Sequence, residues 1–300
     1  MSATRQARRD PDVDKIRSIF WFNWIGMQID STQAHDVRKA LELNRNFLGK
    51  DGQPDKNAKF SQYKRGERMP NATLIESADR LVPGSRSVID LPLWRVLRHK
   101  GDIAGIVAQW VAMLHPKVRG LMIKRDRSIR DQANDIYLRE LGRLATWDCL
   151  AGLAIVLRLN IEAGNPEGAW KCAHAIFGLL VVLCPQLVAY GIADELYALF
   201  ANRFFSLLKF GGYTRAWTDH SFTEMALRAQ LRAEREKGIV TGSRRSTLVY
   251  IDAAMQESLW GEGKNYLPLL VPDLDLGPPT KNGMLILMQH LKDSKRGRTE

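Results

Sequence analysis

The sequence predicts an all-α protein, with a basic N-terminal helical region followed by an irregular α-helical bundle. Three observations predict it. Apolar residues recur at three- and four-residue spacing, as in Ile16, Ile19, Phe20 and Trp24, which marks one face of a helix. Helix stops punctuate the chain at Gly66, Pro83-Gly84, Gly164-Asn165-Pro166-Glu167-Gly168 and Gly211-Gly212. The charge is unevenly shared. Residues 1–130 hold 25 Lys or Arg against 14 Asp or Glu, and residues 131–300 hold 19 of each, so the whole excess of +11 lies in the front part. With 45% apolar and 26% charged residues the composition is that of an ordinary soluble protein. A basic front on a neutral body points to a polyanion partner.

Residues 1–14 are polar and charged, which predicts a disordered tail without the apolar segment of a secretory signal. Lys15–Gln28 predicts a helix with Ile16, Ile19, Phe20 and Trp24 on one face. Phe22 and Met27 fall off that face, so the helix is expected to be covered on more than one side. Ser31–Asn46 predicts a second helix capped by Ser31, with Val37 and Leu41 inward. Gly49–Asn57 reads as an exposed loop. Ala58–Lys64 is a short helix ended by Gly66. Met69-Pro70-Asn71 is a turn, and Asn71 or Thr73 caps a helix that buries Leu74, Ala78, Leu81 and Val82.

The stretch from Lys59 to Gly84 resembles the second half of a Cro/C1-type (XRE) helix-turn-helix domain. The residues that carry the resemblance are Ser61, Tyr63, Gly66, Arg68, Pro70, Leu74, Ala78 and Leu81. Tyr63 stands where the family has Trp, and a nine-residue loop stands where the family has a tight turn. The resemblance implies that Lys59–Lys64 is a recognition helix for DNA. The side chains support the same function directly. A helix entering the major groove needs groups that reach base edges and cations for phosphates. Gln62 can bond adenine and Arg65 guanine. Lys59, Lys64 and Arg68 suit phosphates, and Ser61 suits either.

Leu91–His99 and Ile103–Leu114 are apolar segments with Trp94 and Trp110 as core anchors. Pro116–Arg130 is a second basic patch, in which Lys117, Arg119, Lys124, Arg125 and Arg127 are candidates to follow a phosphate backbone. Ile136–Asn160 predicts one long helix with Ile136, Leu141, Leu144, Leu150, Leu153, Ala154 and Leu157 near one face. Ala169–Leu183 is again helical, Pro185 allows a new start, and Leu187–Leu208 continues to Gly211-Gly212. Ala173–Ala193 lacks charge but holds His174, Pro185 and Gln186, and a buried central helix explains it better than a membrane span. Phe222–Lys237 is an amphipathic helix with Phe222, Met225, Ala226 and Ala229 inward, and Thr247–Trp260 is a further helix. Leu267–Pro279 is an apolar strap broken by prolines, and Met284–Leu291 is a last helix before a basic tail. The boundaries that follow are a tail at 1–14, a basic helical domain at 15–130, a neutral bundle at 131–292 and a basic tail at 293–300.

Catalytic chemistry has no sequence support. Gly261-Glu262-Gly263-Lys264 is too short for a phosphate loop, and Asp219-His220-Ser221 places triad residue types side by side, where they point apart. The six His and three Cys form no metal-binding pattern, so no cofactor and no metal are expected. Cys149, Cys172 and Cys184 lie in apolar sequence and read as reduced, buried thiols of a cytoplasmic, bacterial-type protein. The functional expectation is a non-enzymatic nucleic-acid-binding protein, with DNA favoured over RNA and no membrane. Its helical body would bind itself or a protein partner. The alternative is a helical scaffold subunit of a larger mobile-element or phage-related assembly, without base-specific reading.

Overall fold

The computed structural model describes residues 10–42, 58–210, 213–214, 222–224 and 226–227. Among them the chain is all-α, with twelve α-helices, a short 3-10 turn at Phe205–Leu207 and a two-residue antiparallel pair. That pair joins β1 (Lys209–Phe210) to β2 (Tyr213–Thr214) in the register Lys209↔Thr214. The Gly49–Asn57 loop, the Thr247–Trp260 helix, the Leu267–Pro279 strap, the Met284–Leu291 helix and the 293–300 tail lie outside the described residues.

The helices fall into two compact units. One is built from the described part of Met1–Arg98 together with Gln186–Leu196, and the other from His99–Pro185 together with the described part of Tyr197–Glu300. The first unit is organised around α1 (Pro11–Gln28), which lies against α2 (Ala34–Leu41), α3 (Lys59–Lys64), α5 (Ser85–Ile89) and α6 (Pro92–Arg98). This explains the dense apolar run of α1. Phe20, Trp21, Phe22 and Ile25 are all buried, because neighbours cover the helix on several sides, whereas Met27 is 50% exposed. One core joins Trp21, Phe22 and Ile25 of α1 to Val37 and Leu41 of α2, Phe60 and Tyr63 of α3, and Leu74 and Ala78 of α4 (Ala72–Leu81).

Several boundaries differ from the sequence reading. Residues 11–14 are helical, not part of a disordered tail: Asp10 caps α1 by accepting from the Val13 N–H at 3.3 Å, and Pro11 sits in the first turn. An aspartate followed by proline is a helix-start signal. Ser31 does not cap α2. Its hydroxyl donates to Asp36 Oδ2 at 2.6 Å, and the helix begins at Ala34. Asn71 does cap α4, accepting from the Leu74 N–H at 2.9 Å. Leu81, expected inside, is 46% exposed.

In the second unit, α7 (Val107–Met113) packs on α8 (Pro116–Met122), and α10 (Trp147–Glu162) packs on α8 and α9 (Asp135–Arg143). The long helix expected over 136–160 is thus two helices. Ala145 takes a left-handed conformation (φ 45) between them, and Thr146 caps α10 by accepting from the Cys149 N–H. Ile136 is 60% exposed and Leu144 is exposed, although both fitted the inward face of a single continuous helix. Trp94 and Trp110 are buried in their respective units as expected. The last turn of α10 is tied down by Asn160. Its amide donates to the carbonyls of Asp131 (2.7 Å) and Val156 (2.8 Å) and accepts from the Asn165 amide at 2.8 Å.

α11 (Pro166–Ala189) runs one turn past Pro185 instead of restarting there, and α12 (Ala193–Arg203) follows after Gly191. Among the described residues α11 is the one helix long and apolar enough to cross a membrane, and 67% of its apolar window is buried within the protein. Phe222 stacks on Tyr197 with ring centroids 4.6 Å apart, and Ala226 is buried, as the pattern of that segment predicted.

Candidate nucleic-acid interface

Two apolar side chains set the orientation of α3. Phe60 and Tyr63, three residues apart, share one helical face and are both buried. Their rings meet edge to face at 5.5 Å, and Tyr63 meets Trp21 in the same way at 6.1 Å. Gly66 then turns the chain. Its backbone has φ 71, and a Cβ there would stand 2.8 Å from the Lys15 carbonyl oxygen, so only glycine lets α1 approach this closely. Ser18 of α1 completes the clamp. Its hydroxyl lies 3.1 Å from the Tyr63 carbonyl and 2.6 Å from the Arg68 carbonyl, before and after the turn.

With Phe60 and Tyr63 inward, the predicted contact residues lie at or near the surface but are not equally available. Lys59 is only 20% exposed in its side chain. It pairs with Glu42 at 3.7 Å and stands over the rings of Phe60 and Tyr63. Glu42 also pairs with Arg38 at 3.3 Å, so this carboxylate joins the end of α2 to the start of α3. Lys64 donates from Nζ to the Thr32 carbonyl at 2.9 Å. Arg65 holds Glu67 in a two-point fork at 2.5 and 2.9 Å. The fork lowers the Glu67 pKa and raises that of Arg65, with the hydrogen bond as the largest cause in each case. Ser61 and Gln62 are half-buried, and Arg68 is exposed. Three of the four cations in this segment thus hold bonds within the chain.

The second basic segment is built differently. Lys117 is exposed at the start of α8, and Arg119 donates to the Ala112 carbonyl at 3.3 Å. After α8 the chain folds back on itself as a tight loop. Ile123 bridges Ile129, the Lys124 N–H donates to the Ser128 carbonyl, and the Arg130 N–H donates to the Met122 carbonyl. Asp126 holds the tip by accepting from both the N–H and the hydroxyl of Ser128, and these bonds lower its pKa. Arg127 sits at the tip with φ 67. Arg125 and Arg127 are exposed, and Lys124 pairs with Asp131 at 3.0 Å.

The structure also identifies residues that were not singled out as candidates. Arg130 lies over the Tyr137 ring at 5.6 Å, and the two line a cleft of about 340 Å³ with Lys124, Gln132, Asn134, Ile136 and Glu140. Arg130 closes the basic run in the sequence, but nothing there distinguishes it from its neighbours. Its partner Tyr137 lies on the next helix.

Among the described residues no group of three or more His, Cys, Asp or Glu could hold a metal ion. Cys149, Cys172 and Cys184 are buried and not joined in a disulfide, and burial raises the pKa of Cys149 and Cys172, which keeps those two thiols protonated. No protein-family model, curated protein or solved structure matches this chain.

Proposed function

We propose that the chain is a non-enzymatic nucleic-acid-binding protein that meets duplex DNA with α3 and the turn following it. The observation that carries this reading is the division of α3 into two faces. Phe60 and Tyr63 anchor it in a core shared with α1, α2 and α4, and Ser61, Gln62 and Arg65 lie on its outer side with Arg68 just beyond. A short helix held firmly by its apolar side can present polar side chains to a groove at low entropic cost. Gln62 and Ser61 are the base-reading candidates, and Arg65 moves from a guanine contact to serving the phosphates with Arg68, because Glu67 already occupies its two-point fork. Lys59 moves from phosphate contact to structural tether, because Glu42 already holds it.

A second reading is a helical scaffold that reads no bases. It draws support from the Lys59, Lys64 and Arg65 bonds, which leave less positive charge for a partner. The two readings separate in a titration of a labelled duplex read by fluorescence anisotropy. Arg65→Glu combined with Arg68→Glu alters two exposed side chains. The DNA reading expects this pair to lower affinity by more than about tenfold, as the loss of two phosphate contacts does at moderate salt. Unchanged affinity would favour the scaffold.

A further inference from the structure

The cleft beside the 123–129 loop has a composition that a purely electrostatic surface does not need. Arg130 is exposed, and its guanidinium is backed by the ring of Tyr137, itself buried. An arginine fixed in this way offers its outward side as a stacking surface for a base. Ile136 adds an apolar edge with 60% of its surface exposed. Gln132 can donate and accept, and Asn134, whose oxygen caps α9, retains its amide N–H groups as donors. Glu140 contributes a carboxylate to the same cleft. A site for a bare anion gains nothing from a carboxylate. A nucleobase does, because ring and amino N–H groups need an acceptor. The exposed Arg125 and Arg127 on the adjoining loop supply charge for the phosphate that accompanies a base.

We propose that this cleft binds an unpaired nucleotide, with the base against Arg130, its N–H groups on Glu140 and its phosphate towards Arg125 and Arg127. The ligand is either one nucleotide of a single strand or a free nucleotide, since both carry this chemistry. The site uses none of the α3 residues and stands or falls without them.

The test uses the full chain, a labelled twelve-nucleotide thymidine strand and, in a second arm, AMP by calorimetry. Arg130→Lys keeps the charge and loses the plane, and is expected to weaken binding at least about fivefold, the lower end of what one stacked base contributes. Glu140→Ala raises the net charge and is nevertheless expected to weaken binding. Dependence on Arg130 in the strand arm alone assigns the site to single strands, and dependence in the AMP arm assigns it to free nucleotides. Binding that is indifferent to Arg130→Lys and tightened by Glu140→Ala would overturn the proposal in favour of simple charge attraction, and absence of binding in both arms would overturn it outright. Duplex binding by the Arg65→Glu, Arg68→Glu variant, measured in parallel, reports on α3 separately.

Discussion

The α3 segment and the 123–129 loop are both basic in sequence, yet they commit their charges to the chain to different extents. In the α3 segment, Lys59 pairs with Glu42, Lys64 holds the Thr32 carbonyl and Arg65 holds Glu67. In the loop, Lys124 pairs with Asp131, but Arg125 and Arg127 stand exposed, and the turn is held by Asp126 and backbone bonds. The contrast extends to the charge itself. Residues 99–130 carry seven Lys or Arg against two Asp or Glu, a denser excess than that of the eight against four over residues 58–98. A basic run in a sequence therefore does not say whether its cations face a partner or their own chain. That depends on whether carboxylates and carbonyls elsewhere in the fold reach them.

Substitutions distinguish the two regions, and the largest effect is expected in the anchor of α3. Tyr63→Ala removes a ring that is 1% exposed and packs on Trp21 and Phe60. It should cost about 3–5 kcal/mol, the range for emptying a buried aromatic site, measured by urea unfolding. Gly66→Ala should cost about 2 kcal/mol or more, because it combines a left-handed backbone with a contact against the Lys15 carbonyl. If Gly66→Ala melts like the wild type, the close approach of α1 to this turn is wrong.

The smaller effects address the charges. Lys59→Met should lower stability by about 1 kcal/mol and leave the salt dependence of duplex binding unchanged, since a tether differs from a phosphate contact in that respect. A flatter salt slope would return Lys59 to the interface. Glu67→Gln should leave the melting temperature unchanged, because its pair with Arg65 is solvent-exposed. By releasing Arg65 it should tighten duplex binding about two- to threefold and steepen the salt slope by up to about one phosphate contact. No change in binding would mean that Arg65 is not at the interface.

The all-α class was legible because helical periodicity and Gly or Pro stops report directly on local backbone preference. Asn71 was legible as one of two candidate caps, with Thr73 the other, for the same reason, and so was the inward face of Leu74 and Ala78. What periodicity cannot supply is the extent of the neighbouring surface. Leu81 lies on the apolar stripe of α4 but beyond the atoms that cover it. The break between α9 and α10 was hidden because Ala145, a strong helix former, adopts a positive φ there. Thr146 followed by Asp148 was the available sign of a new helix start. At the candidate site, the sequence showed which residues were cationic. It could not show that Glu42 reaches Lys59 or that Tyr137 lies beneath Arg130, because these contacts join different secondary-structure elements.

A salt titration of duplex binding decides whether α3 and its turn grip a nucleic acid. The wild type is expected to lose affinity as salt rises, with a log–log slope of about −0.9 for each phosphate neutralised. The Arg65→Glu, Arg68→Glu variant should bind more than about tenfold more weakly, with a shallower slope and an unchanged melting temperature. Equal affinity and equal slope in the two proteins would exclude α3 and its turn as the duplex-binding surface.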